Sequence, residues 1–272
     1  MAREAASQNL LYVSDESASD VYVYSYPKGK LQGTLTGFDG PVGECVGKTG
    51  NVFIANYDAA NILEYAHGGT SPVATLKDSG YYPSDCAIDP TTGNLAVTNE
   101  YATSSAHGNV VIFNGAKESS KKHYYDANIF YYFFCGYDNK GNLFVDGTPS
   151  TGGFVLAELP HGSASFRDIS LHQSVAFPGA IQWDGTHLAV GDHANTIYQF
   201  SISRGKGSEV GSTTLMGASD VGQFWIDGSR VIGADAGGPD VGYWDYPAGG
   251  SPTKTIKGGL LEPRGVTVSK AK

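Results

Sequence analysis

Apolar and polar positions along this chain follow no sustained 3.6-residue period. Short apolar or alternating runs recur instead between turns rich in Gly, Pro, Asn and Asp, which is the pattern of many short β-strands. One block returns along the whole length. It reads Pro41-Val42-Gly43-Glu44-Cys45-Val46, then Gly50-Asn51-Val52-Phe53-Ile54-Ala55-Asn56, and recurs as Pro83-Ser84-Asp85-Cys86 with Gly93-Asn94-Leu95-Ala96-Val97-Thr98-Asn99. Further copies start at Tyr132, Pro178, Val221 and Pro263, so successive starts are 42 to 49 residues apart, close to the length of a four-stranded propeller blade. Between them lie third strands such as Val21-Tyr22-Val23-Tyr24 and Ile197-Tyr198-Gln199-Phe200.

The last copy, Pro263-Arg264-Gly265-Val266, has no second half. That half stands at the other end of the chain as Leu10-Leu11-Tyr12-Val13-Ser14-Asp15. The pattern predicts an all-β, six-bladed β-propeller with four-stranded blades, its ring closed by pairing the C-terminal strand with the N-terminal strands, an arrangement that removes long free sheet edges. Residues 9–272 are expected to form this one propeller and residues 1–8 a disordered tail. Almost no α-helix is expected.

Composition agrees: 37 glycines and 12 prolines serve tight turns, and 17 tyrosines suit half-buried strand faces. A net charge of −9 without a basic stripe argues against nucleic acid as a partner. No run approaches the eighteen or so apolar residues of a membrane span, and Met1–Gln8 has no apolar core for an export signal. Cys45, Cys86 and Cys135 are too few and too far apart for a disulfide framework or a zinc site, and are expected to be free, buried small hydrophobes.

The strings Pro41-Val42-Gly43, Gly50-Asn51-Val52-Phe53-Ile54-Ala55-Asn56 and Pro263-Arg264-Gly265-Val266 resemble NHL-repeat propellers and the gluconolactonase and strictosidine-synthase-like superfamily. In gluconolactonase-like enzymes the second residue of several motifs supplies Glu, Asn or Asp to a divalent metal in the central channel. Here those positions are Val42, Ser84, Phe133, Gly179, Gly222 and Arg264, which cannot make the oxygen cage a hard cation needs. The resemblance therefore implies the fold without the metal site, and no cofactor is expected. Turns such as His67-Gly68-Gly69-Thr70-Ser71-Pro72 look like those of exported bacterial proteins, implying a secreted or periplasmic location.

The recurring columns Asp15, Asn56, Asn99, Asp192, Asp235 and Asp89, Asp138, Asp184, Asp227 are expected to bond the backbone of adjacent turns. Residues that depart from the repeat are better candidates for chemistry: Glu44 replaces an apolar residue, Asp85 and Gln223 replace the motif Gly, and Arg264 holds an axial slot. They are expected to meet at one mouth of the channel, as a salt-bridged plug, as a ligand site, or as a catalytic group in which Glu44 or Asp85 is the base and Arg264 stabilises an anion. Ser84, Phe133 and Phe134 would complete the ligand contacts. The aromatic run from Tyr124 to Tyr137 offers either core filling or a wall for a ring-bearing ligand, with the loop at residues 100–108 as its rim. Asp192 and His193 are not expected to form a dyad, because neighbours on an extended strand face opposite ways. The expected function is a binding or scaffolding propeller that engages a small molecule, glycan or protein as a monomer, with a metal-independent hydrolase or lyase as the alternative.

Overall fold

A computed structural model describes residues 1–104 and 107–272; Ser105 and Ala106, within the expected loop rim, lie outside the described residues. Six sheets carry the chain. Blade 1 comprises, from the axis outward, Pro263–Ser269, Leu10–Asp15, Asp20–Ser25 and Leu31–Thr36. Blade 2 is Pro41–Val46, Val52–Asn56, Asn61–Tyr65 and Pro72–Lys77; blade 3 is Tyr81–Ile88, Leu95–Ala102, Asn109–Phe113 and Lys121–Tyr124. Blade 4 is Tyr131–Tyr137, Leu143–Thr148, Val155–Leu159 and Arg167–Asp168. Blade 5 is Ile181–Trp183, Leu188–Gly191, Thr196–Ser203 and Lys206–Thr214, with Ser170–Leu171 added in parallel at its edge. Blade 6 is Val221–Asp227, Arg230–Asp235, Asp240–Asp245 and Lys254–Lys257.

The protein is a six-bladed β-propeller, and its ring closes as the circular permutation requires. Pro263–Ser269 pairs antiparallel with Leu10–Asp15, in the register Leu11↔Val268, Tyr12↔Thr267 and Val13↔Val266. The second strands of the blades carry near-continuous apolar runs, as in Leu10–Asp15 and Val52–Asn56, so each blade buries one face against each neighbour. Leu10, Tyr12, Val52 and Ile54 fill one such seam, and Ile181, Leu188, Val190 and Phe200 fill another. Each buried side chain of this size contributes roughly 1.5–3 kcal/mol. Repeated polar links supplement the seams: Tyr26 donates to Asp227 Oδ2 at 2.9 Å, and Tyr246 donates to Asp184 Oδ2 at 2.8 Å, in each case reaching a turn of the adjoining blade.

The inner strands are interrupted at one recurrent place. The ladder shifts between Pro41 and Glu44, between Pro83 and Asp85, between Tyr132 and Cys135, and between Val221 and Phe224. A bulge frees the residues inside it from the pleat and re-aims them. Here they are the second and third motif residues in blades 2, 4 and 6 and the second alone, Ser84, in blade 3.

Two expectations change. Residues 1–8 are a seated segment rather than a tail: Ala5–Ser7 forms a single 3-10 turn, Ala5 is buried, and Ala2 N donates to Gln32 O. Cys45 and Cys86 form a disulfide between the inner strands of blades 2 and 3, and Cys135 alone is free and buried. Their sequence separation of 41 residues is nearly one repeat, so it brings them side by side on neighbouring blades. A spacing too wide for a local framework is the right one for a bridge between repeats.

Candidate functional site

Two residues from opposite sides of the ring close the channel. Gln223, from blade 6, uses all four hydrogen-bonding positions of its amide. Its Oε1 accepts from Glu44 N (3.1 Å) and Val266 N (2.9 Å), and its Nε2 donates to Glu44 O (2.9 Å) and Asp85 Oδ1 (2.7 Å). Asp85 Oδ2 accepts from Cys135 N at 3.0 Å, so one buried cross-brace joins blades 1, 2, 3, 4 and 6. The close approach needs glycine at Gly265, where a Cβ would stand 2.2 Å from Val42 O, and at Gly43, where it would stand 2.5 Å from Asp85 Oδ1. Burial pushes the Asp85 carboxyl up to about 8, partly offset by the N–H groups of Cys135 and Cys86.

A second layer of polar residues braces the inner strands, joining blade 1 to blade 2 and blade 3 to blade 4 and, in blade 4, holding its own inner strand. Ser14 Oγ donates to Val42 O of blade 2 and Thr98 Oγ1 donates to Phe133 O of blade 4 at 2.8 Å, whereas Phe134 N donates to Asp146 Oδ1 at 2.9 Å within blade 4. Burial holds Asp146 well above the usual carboxylate range. Ser14, Thr98 and Asp146 occupy one equivalent position in blades 1, 3 and 4, where an apolar run is interrupted by a polar residue; that interruption was the available sequence signal.

The septum leaves two axial cavities of about 300 Å³ each. At the end where the inner strands begin, the upper cavity is lined by Val42, Ser84, Phe133, Gly222 and Arg264, five of the six second motif positions. Arg264 is held by three carboxylates: Glu16 at 2.9 Å, Asp220 at 3.6 Å, and Glu262. Burial opposes the Arg264 charge, but these carboxylates outweigh it and raise its pKa. Ser84 Oγ donates to Phe133 O at 2.9 Å and so bridges blades 3 and 4.

Aromatic rings continue from this cavity across blades 2 to 5. Tyr57 and Tyr82 lie 5.1 Å apart between centroids, Tyr82 and Tyr101 4.7 Å, Tyr101 and Tyr131 6.5 Å, and Phe130 and Tyr131 4.8 Å. Phe177 joins Phe133 at 5.2 Å to His193 at 5.3 Å. Tyr57 donates to Glu100 Oε2 at 2.7 Å, and burial raises the pKa of both groups. Of the expected aromatic run, Phe130, Tyr131, Phe133 and Phe134 belong to this mouth, whereas Tyr132 is core and Tyr137 lines the opposite cavity.

The four repeat-breaking residues do not share one mouth: Glu44, Asp85 and Gln223 line the lower cavity and Arg264 the upper. Asp85 and Gln223 make the septum, and Arg264 lies in the upper cavity. Glu44 contributes its backbone to Gln223, while its carboxyl is buried opposite Ile54 and near Tyr12, in the seam between blades 1 and 2. Both Glu44 oxygens lack a hydrogen-bond partner among the described residues, and burial raises the pKa well above the usual range. The plug is an amide–carboxyl brace rather than a salt bridge, because Arg264 pairs with Glu16, Glu262 and Asp220 instead.

Sequence reasoning missed His193 and Asp220. His193 follows the end of strand Leu188–Gly191 with φ of +61°, so the opposite-faces rule does not apply to it, and its Nδ1 lies 3.0 Å from Asp220 Oδ1. Asp220 is placed in turn by Asp235, whose Oδ1 accepts from Asp220 N at 2.9 Å. No motif links positions 193 and 220.

The fold and its closed, two-chambered axis define a six-bladed propeller with a polar and aromatic upper mouth. No family model matches the sequence, and no curated protein matches it. Among solved structures, a chain of the nidogen/laminin complex is similar over 97% of this chain and 99% of that one, with 11% identity and a TM-score of 0.78. A protein of unknown function from Bacteroides caccae is similar over 96% and 99%, with 12% identity and a TM-score of 0.72. A functionally unknown protein from Desulfotomaculum acetoxidans DSM 771 is similar over 97% and 100%, with 12% identity and a TM-score of 0.64. These likenesses establish the fold.

Proposed function

We propose that this propeller is a binding module whose upper mouth takes a small neutral ligand of the glycan class. The carrying observation is the aromatic row from Tyr57 to Tyr131 beside a cavity of about 300 Å³ with carboxylates on its rim. Ring faces stack on the apolar faces of sugars, and convergent polar groups fix orientation. Glu16, Asp220 and Glu262 pair with the guanidinium of Arg264 and Glu100 lies on the same cavity wall, so the mouth disfavours ligands that carry a full negative charge.

The Cys45–Cys86 disulfide supports an oxidising, exported setting for the protein. A hydrolase or lyase built from Glu44, Asp85 and Arg264 is not favoured, since the septum separates Arg264 from the lower cavity that Glu44 and Asp85 line.

Saturation-transfer NMR with a panel of neutral mono- and disaccharides tests the reading. Binding is expected, weakened about tenfold by Tyr101→Ala through loss of one stacking surface. Absence of saturation transfer from the whole panel, or binding indifferent to Tyr101→Ala, would sink it.

A further inference from the structure

We propose that His193 is a general base in the upper cavity, positioned by Asp220, and that it activates water for hydrolysis of a neutral ester bound there. This inference needs the upper cavity but does not need its ligand to be a sugar.

The geometry is that of an oriented imidazole. Asp220 Oδ1 stands 3.0 Å from His193 Nδ1, which places the ring proton on Nδ1 and leaves the lone pair on Nε2. Nε2 lies over the axial residue Gly222, where a Cβ would come within 3.2 Å of it, so glycine at this slot makes room for the ring at the cavity wall. Phe177 and Phe134 flank the imidazole at 5.3 and 6.4 Å between centroids. His193 adopts a left-handed backbone that costs a non-glycine residue of order 1 kcal/mol, and the turn holds it there through Asp192, whose Oδ1 accepts from Ala194 N and Thr196 N.

Asp220, Asp192 and Arg264 are the charged groups acting on the ring; Glu16 and Glu262 reach it only through Arg264. Burial is the largest influence and lowers the imidazole pKa, Arg264 lowers it further, and Asp220 and Asp192 raise it in part. The ring is therefore neutral and basic at pH 7.

The step balances with water as the sole co-reactant. Nε2 takes a proton from water as the water oxygen bonds to the ester carbonyl carbon, and the carbonyl π pair moves to its oxygen. Arg264, the one Lys or Arg on this cavity's wall among the described residues, is the cation available to that transient charge, with its Glu16, Asp220 and Glu262 partners offsetting part of its field. On collapse the C=O bond re-forms, the bond to the leaving oxygen breaks, and His193 returns its proton to that oxygen. The products are an alcohol and an acid, and the acidic rim repels the carboxylate product outward.

The probe is p-nitrophenyl acetate, a neutral ester whose ring suits the Phe133 and Phe177 wall. Saturable hydrolysis above buffer is expected, rising with pH through an inflection below the ordinary histidine value and then flat. His193→Asn, which tolerates the left-handed backbone, should lower kcat/KM about 100-fold. Asp220→Asn should lower it less and move the inflection to lower pH, a shift that a merely structural Asp220 would not produce. Hydrolysis no faster than buffer, His193→Asn within twofold of the parent, or an unmoved inflection overturns the proposal. Should His193→Asn fail to fold, ¹⁵N NMR of the intact protein decides instead: a bare Nε2 at pH 7 supports the assignment, and a protonated Nε2 overturns it.

Discussion

Replacing Gln223 by leucine isolates the energetic role of the septum. The substitution keeps an apolar side chain of similar length but withdraws two acceptors' worth of bonding from Glu44 N and Val266 N and two donors from Glu44 O and Asp85 Oδ1. Each buried polar group left unmet costs about 1–3 kcal/mol, so even the lower bound over four groups is about 4 kcal/mol. In a protein of this size that corresponds to a fall in Tm of roughly 8–16 °C. Urea unfolding followed by tryptophan fluorescence measures it directly, because Trp225 and Trp183 line the cavity beside the septum. Gln223→Glu is the informative companion: it keeps the shape but sets an acceptor against Glu44 O and Asp85, so it should be worse than leucine at pH 8 and recover towards pH 5. A loss below about 1 kcal/mol for Gln223→Leu would refute the view that the cross-brace holds the ring.

Stability should fall as pH rises from about 4 to 8. Over that window the folded protein keeps the Asp85 proton that the unfolded chain releases, with a slope of about 1.4 kcal/mol per pH unit from this group and the same sign from Glu44 and Asp146. Urea midpoints that stay level or rise from pH 5 to 8 would contradict the raised acids. Glu44→Met removes a buried carboxyl without partners and should raise stability at pH 8 by at least about 1 kcal/mol, read from the same denaturation curves. Removing the disulfide with Cys45→Ala and Cys86→Ala opens a loop of about one repeat and should cost about 4 kcal/mol; equal stability with and without reductant would show that the bridge does not constrain the unfolded chain.

The third-slot departures Asp85 and Gln223 were visible in the sequence as breaks in a repeat, and both turn out to be the residues that cross the axis. Arg264 broke the same motif but belongs to the upper cavity, because it stands in the second slot. One residue along a strand is about 3.3 Å, enough to separate the septum from the mouth. Glu44 stands in the fourth slot, past the bulge, where the pleat returns its side chain to a blade seam. The aromatic run read as one feature divides into three for the same reason: Tyr131 and Phe133 reach the mouth, Tyr132 enters the core, and Tyr137 lies beyond the septum.

By itself the sequence determined the six blades, their strand order and the closure of Pro263–Ser269 on Leu10–Asp15, because each follows from a pattern repeated within every unit and burying an apolar face on both sides. Only the tertiary structure decided which polar residues meet. Gln223 with Asp85, Cys45 with Cys86, and His193 with Asp220 are pairings between blades, and the curvature of the ring and the bulges at its axis set them rather than any spacing within a repeat.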